Sequence, residues 1–370
     1  MNVTTLERPS GDKVAQARLS IVDCDIHPTM RSKNDLYPYL SERWQKHFDV
    51  YGSHVRQSLP GTQAFPRMQP ATSRADAWPP NGGPPGSDLD FMRKQHLDPN
   101  GVEIGILHAM RIGGYDQRNQ DFGAALSSAI NDWQLDAWIR KEPRLRGSIH
   151  VPQDNPDAAV KEIEKRAGDK GFAQVTCAPQ ALEPLGRRRY WPIFEATVAA
   201  KLPLGLHVGG MSGHAVTGGG WPSYYFEHHY TNVPSMMSVI TSLVFEGVFE
   251  RFPALKVVLV EGGFSWVPSL CWRLDQHWAR MRDEVPHVKR PPSEYIRRQV
   301  WYTTQPIEEP PNPEHLRDLF DWVGWDRLLF STDYPHWDYD DPATALKLKL
   351  SAAEKDKIYR DNAKAVYGLR

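Results

Sequence analysis

Eight short apolar segments separated by amphipathic stretches constrain this chain more than any other feature. They cover residues 21–25, 102–108, 145–151, 172–177, 203–208, 256–261, 300–304 and 327–332. Most are brief and rich in Val, Ile or Leu, as fits strands buried on both faces of a parallel sheet. Between them, residues 124–141 carry Leu126, Ile130, Trp133 and Leu135 at helical spacing, and 155–167, 191–201, 235–251 and 266–283 show similar patterns. Eight strands alternating with about seven helices predict an α/β fold, a distorted (β/α)8 TIM barrel.

Such a barrel needs roughly 250 residues, so a chain of 370 has residues to spare. Residues 1–18 are expected to form a flexible N-terminal tail and 19–370 a single barrel domain. The surplus falls in two places. Residues 51–87, centred on Pro79-Pro80-Asn81-Gly82-Gly83-Pro84-Pro85-Gly86, form a long Pro/Gly-rich insertion after strand 1, expected to pack as a lid or an interface through Tyr51, Phe65 and Trp78. Residues 209–230 form an aromatic loop after strand 5. A net charge of −1 without a basic stripe argues against nucleic acid as a partner. No apolar run reaches the length of a membrane span. Three dispersed cysteines, Cys24, Cys177 and Cys271, suit a reducing compartment, and a cytoplasmic location is expected.

Barrel chemistry comes from the C-terminal ends of the strands. In order, those ends offer Asp25 and His27, His108, His150, Cys177, His207, Glu261, Thr304 and Asp333. Asp25 and His27, two apart on a strand, project to the same side. Any one histidine here has an ordinary structural explanation; their recurrence at strand ends suggests ligands gathered around one cation. A mixed imidazole and carboxylate set suits zinc, iron or manganese better than calcium or magnesium. Zinc is the first expectation, with iron and manganese as alternatives. His108 and His150 are pocket candidates, and Arg111, just after strand 2, is expected to reach a substrate carboxylate.

Four segments give the chain a family resemblance: Val22-Asp23-Cys24-Asp25-Ile26-His27-Pro28, Gly205-Leu206-His207, residues 257–268 with Glu261-Gly262-Gly263, and Phe330-Ser331-Thr332-Asp333-Tyr334-Pro335-His336. The closing residues 361–368 also fit. The chain resembles the amidohydrolase superfamily, in the branch that holds aminocarboxymuconate-semialdehyde decarboxylase, γ-resorcylate decarboxylase and assorted hydrolases. The resemblance implies one divalent metal bound by Asp25, His27, His207 and Asp333. Two positions depart from the family pattern. Asp25 is shorter than the usual His or Glu and is less suited than His27 to direct coordination. Strand 6 offers Glu261 where many relatives place a His acting as acid or base. The family's bridging strand-4 lysine has no counterpart, which favours a single metal.

The resemblance therefore implies a metal-dependent hydrolase or non-oxidative decarboxylase acting on a small carboxylate or amide. Glu261 and Asp333 are its candidate catalytic groups, and His229, His336 and Arg111 its candidate substrate contacts. One alternative is a subunit of an oxygen-dependent iron or manganese hydroxylase resembling 2-aminoisobutyrate hydroxylase; another is a structural metal-binding partner. The partners expected are a small-molecule substrate and further barrel subunits, in a homo- or hetero-oligomer.

Overall fold

A computed structural model describes residues 20–52, 73–109, 114, 117, 119–208, 220, 223–230 and 232–369. Within them the eight expected strands form: β1 (Ile21–Ile26), β2 (Val102–Leu107), β3 (Leu145–His150), β4 (Phe172–Cys177), β5 (Leu204–His207), β6 (Val257–Val260), β7 (Val300–Thr303) and β8 (Leu328–Leu329). They pair in parallel in sequence order. The sheet closes because β1 also bonds the segment after β8. Cys24 N–H donates to the Phe330 carbonyl at 3.0 Å, Asp333 N–H to that of Asp25 at 3.1 Å, and His27 N–H to that of Tyr334 at 2.8 Å. The result is a (β/α)8 barrel.

Parallel neighbours require crossovers, and helices supply them. Gln120–Gln134 joins β2 to β3, Pro156–Arg166 joins β3 to β4, Trp191–Ala199 joins β4 to β5, and Glu314–Val323 joins β7 to β8. Asn119 and Asn155 start the first two by accepting the Phe122 and Ala158 amides. The helix expected over 235–251 is two, Asn232–Phe245 and Val248–Arg251. Gly247 between them has φ +83°, a left-handed conformation that ends the first helix.

One compact cluster fills the barrel interior. Ile104 and Ile106, Ala173, Val258 and Val260, and Leu329 come from the even-numbered strands and pack with Val22 and Cys24. Ala363, Val366 and Tyr367, near the C-terminus, complete the cluster. At the strand ends the buried residues turn ionisable.

β1 carries a bulge between Asp23 and Ile26. Strict alternation would place Asp23 with Asp25 and His27. Instead the Asp23 carboxylate accepts from Thr332 N–H and Oγ1, at 2.9 and 2.6 Å, and lies 2.8 Å from His96 Nε2. Bulges re-aim side chains in this way beside active sites.

Of the insertion, residues 53–72 lie outside the described residues. The rest returns over the mouth: Ser73 bridges to His336, Arg74 N–H donates to the Pro335 carbonyl, and Gly86 accepts from Thr29 N–H. Of the aromatic loop, the helix Tyr225–Tyr230 is described. No helix among the described residues is long and apolar enough to cross a membrane.

Candidate metal centre

The imidazoles of His27 and His207 are oriented by backbone carbonyls. His27 Nδ1 lies 2.9 Å from the His108 carbonyl, and His207 Nδ1 lies 2.8 Å from that of Val208. A carbonyl only accepts, so both Nδ1 atoms carry protons, which leaves each Nε2 as the nitrogen that can bind a cation once it holds no proton of its own. His27 Nε2 faces Asp333 Oδ1 at 2.7 Å and Asp25 Oδ1 at 3.1 Å. His207 Nε2 faces Glu261 Oε2 at 3.4 Å and Asp25 Oδ1 at 3.5 Å.

A lone pair set against carboxylate oxygens repels them, so positive charge, either a proton or a cation, belongs between Nε2 and the acids. Both Asp25 oxygens and His207 Nε2 are buried without a hydrogen-bond partner. Ligand atoms of Asp25, His27, His207 and Glu261 all lie within 4.8 Å of one another. Orphaned atoms of this mixed nitrogen and oxygen type fit a divalent cation.

The electrostatics express the same need. Burial disfavours charge on His27, but Asp25 and Asp333 outweigh it and hold the ring well above the ordinary histidine range. Burial would raise Asp25, yet His27 and His207 hold it well below the ordinary carboxylate range. Glu261 goes the other way: burial, reinforced by Asp333, Asp338 and Asp25, pushes its carboxyl well up.

Two of the acids sit on strained backbone. Glu261 has φ +60° and Asp333 φ +63°, values that non-glycine residues seldom adopt. Glu261 is held by its own N–H, which donates to Thr303 Oγ1 at 3.0 Å. Asp333 is held through its side chain: Oδ1 meets His336 Nδ1 at 2.7 Å, and Oδ2 accepts from Gln305 Nε2 at 3.3 Å.

The structure brings Asp25, His27, His207, Glu261, Asp333, His336 and His229 together in overlapping ligand-capable groups. His336 stacks on His27, with ring centroids 4.3 Å apart. His229 pairs with Asp338 at 3.2 Å, and both reach Glu261 to form a further ligand-capable group. Arg111 lies outside the described residues. Sequence reasoning missed Gln305, Asp338 and the Asp23–His96 pair. Asp338 carried a signal, standing five residues past Asp333 in the same polar turn; Gln305, one residue beyond a strand end, carried a weaker one.

A closed (β/α)8 barrel with buried imidazole and carboxylate donors at its C-terminal mouth defines a metal-dependent enzyme. The amidohydrolase family model matches residues 22–369, and the chain belongs to that family. Among its relatives is a γ-resorcylate decarboxylase from Polaromonas sp. (strain JS666 / ATCC BAA-500), 27% identical over 300 residues that span 76% of this chain and 88% of the relative. The crystal structure of 5-carboxyvanillate decarboxylase from Sphingomonas paucimobilis superposes with TM-score 0.69 at 21% identity, covering 95% of this chain and 100% of that one. A dihydroxybenzoic acid decarboxylase from Polaromonas sp. JS666, solved with manganese and the inhibitor 2-nitroresorcinol, superposes with TM-score 0.63 at 21% identity, covering 95% and 97%. At these identities the structural likeness establishes the fold. The hydroxylase alternative draws no support from these relatives.

Proposed function

We propose that this enzyme is a non-oxidative decarboxylase of small aromatic carboxylates, working with one manganese ion held by Asp25, His27, His207 and Asp333. The observation that carries the proposal is the pairing of an orphaned donor set with one buried acid, Glu261, directly beside it. The relatives that are decarboxylases support the reaction class. Manganese takes the place of the zinc first expected because a solved relative binds it, and because a carboxylate-rich set suits a hard cation.

When bound, the ion supplies positive charge that anchors the substrate's carboxylate or an adjacent hydroxyl. The protein's own residues do the rest. The two backbone carbonyls fix His27 and His207 as lone-pair donors. Asp333 is committed to His27, His336 and Gln305, which makes it a ligand and an orienting group rather than the acid. Burial first, then the carboxylates of Asp333, Asp338 and Asp25, favour the protonated form of Glu261 at the mouth. Glu261 delivers its proton to the ring carbon bearing the carboxylate. A C–H bond forms, the C–C bond to the carboxylate breaks, and carbon dioxide leaves. Glu261 is then reprotonated from water.

The test is NMR of the manganese-loaded full chain in D2O, with 2,6-dihydroxybenzoate and 5-carboxyvanillate among a panel of aromatic acids. The expected result is carbon dioxide and a product carrying one deuterium at the vacated ring carbon. No carbon dioxide from any acid, with hydrolysis of an amide run alongside, would replace decarboxylation by hydrolysis.

A further inference from the structure

His108 and His150, at the ends of β2 and β3, line a small cavity beside the ion site, and His207 belongs to both. His207 Nε2 faces Glu261 at 3.4 Å, and its ring centroid lies 4.9 Å from that of His108. The cavity therefore begins one imidazole ring away from the acid that supplies the proton. A molecule held at the ion reaches it without leaving Glu261.

Two buried N–H groups there have no acceptor. Gln174 Nε2 donates to Ser148 Oγ at 2.9 Å and lies 2.9 Å from His108 Nε2. An amide nitrogen only donates, so His108 Nε2 accepts and the ring proton sits on Nδ1. That Nδ1 is buried without a partner, and so are both ring nitrogens of His150, a residue 4% exposed. Whatever its tautomer, His150 carries at least one N–H. Buried donors are rarely left unpaired, and two in one cavity point to a missing acceptor.

Both donors are held from behind. The His150 backbone N–H donates to Asn131 Oδ1 at 2.8 Å, and its carbonyl accepts from Asn131 Nδ2 at 2.9 Å. Asn131 also donates to Glu162 at 2.9 Å, which ties this clamp to the helix Pro156–Arg166. Gln174, which fixes the His108 ring, lies over Gly205 of β5. A Cβ at Gly205 would sit 2.5 Å from Gln174 Oε1, so glycine before Leu206-His207 leaves the room that this support needs.

Of the groups that a hydroxylated aromatic acid brings, the carboxylate is the one that only accepts, and it has two oxygens to share between two donors. We infer that His108 and His150 form the subsite that takes the substrate's carboxylate, which leaves the ion to the neighbouring hydroxyl. The same donors let the product go, because carbon dioxide is uncharged and accepts hydrogen bonds less strongly than a carboxylate. The inference rests on the decarboxylase reading for its substrate class, but its test does not require turnover.

The experiment is calorimetric titration of the manganese-loaded full chain with resorcinol, 2,6-dihydroxybenzoate and 2-nitroresorcinol, whose uncharged nitro group accepts through two oxygens as a carboxylate does. The acid and the nitro compound are each expected to bind about a hundredfold tighter than resorcinol, about tenfold for each hydrogen bond. In His150→Phe, and separately in His108→Phe, both preferences fall about tenfold, while resorcinol affinity and manganese content stay unchanged. His150→Gln, which keeps an N–H donor, retains them. Preferences that survive both phenylalanine variants overturn the subsite and give the carboxylate to the ion. Equal binding of all three compounds by the unmodified enzyme, the outcome expected if the cavity holds only water, also overturns it. So does loss of manganese or of resorcinol binding in either variant, which would make these histidines supports of the ion site. Carbon dioxide release, followed in parallel, separates the two proposals: preference without turnover removes the reaction and keeps the subsite, and turnover with surviving preferences does the reverse. Failure of every compound to bind removes both.

Discussion

Metal binding and proton binding compete at His27, and the competition sets a measurable pH dependence. Asp25 and Asp333 hold the metal-free ring well above the ordinary histidine range. A raised folded-state value means that the proton on His27 stabilises the metal-free protein fully below the unfolded value of about 6.5. That contribution is lost as pH rises through the raised folded value. A metal ion must displace the same proton. Below the folded value, each unit of falling pH therefore weakens metal binding about tenfold, or about 1.4 kcal/mol. At a pH where manganese stands at about 1,000 times its Kd, it stabilises the fold by about 4.1 kcal/mol; one unit lower the ratio is about 100 and the gain about 2.7 kcal/mol. Melting curves of the metal-free full chain, with and without manganese at pH 8, 7 and 6, read this directly. The manganese-dependent rise in Tm should shrink with each acid step and vanish in His207→Ala, which removes the orphaned Nε2. A shift that grows on acidification, or that persists in His207→Ala, would refute the reasoning.

Three further perturbations separate chemistry from support. Glu261→Gln keeps the shape but not the proton, so kcat should fall by about 10²–10⁴ with manganese content unchanged, measured by carbon dioxide release and elemental analysis. A Cβ at Gly86, φ +76°, would sit 2.3 Å from the His27 carbonyl oxygen; Gly86→Ala should cost about 1–3 kcal/mol in urea unfolding and weaken manganese binding. Asp23→Asn replaces the oxygen that accepts from Thr332 Oγ1 and faces His96 Nε2 with an amide donor, and a loss of about 1–3 kcal/mol is expected in the same assay, with manganese still bound at saturation.

The barrel was legible because most strands are short apolar runs and five of the crossovers carry a helical period; boundaries moved by only a residue or two for most strands. β8 is the exception. Its expected run through Thr332 pairs regularly with β7 only over Leu328–Leu329, because residues from Phe330 onward turn to bond β1 and close the barrel. The site was legible where donors stand at strand ends: Asp25, His27, His207, Glu261 and Asp333 converge as expected. Asp23 carried no readable role, since a bulge cannot be read from a run of apolar residues and acids. Gln305 and Asp338 escaped notice because their roles depend on the turns that follow β7 and β8, whose course no local pattern specifies. The two orphaned nitrogens of His150 were also invisible, because a missing partner is a property of the assembled mouth.

The most direct test of the account is elemental analysis of the full chain purified without added metal, then reconstituted with manganese and desalted. The account predicts about one manganese per chain, lost in both His207→Ala and Asp333→Ala. No retained metal, or equal retention in the two variants, would contradict a centre built from these residues. Two ions per chain would contradict a single-ion site and move attention to the group formed by His229, Glu261 and Asp338.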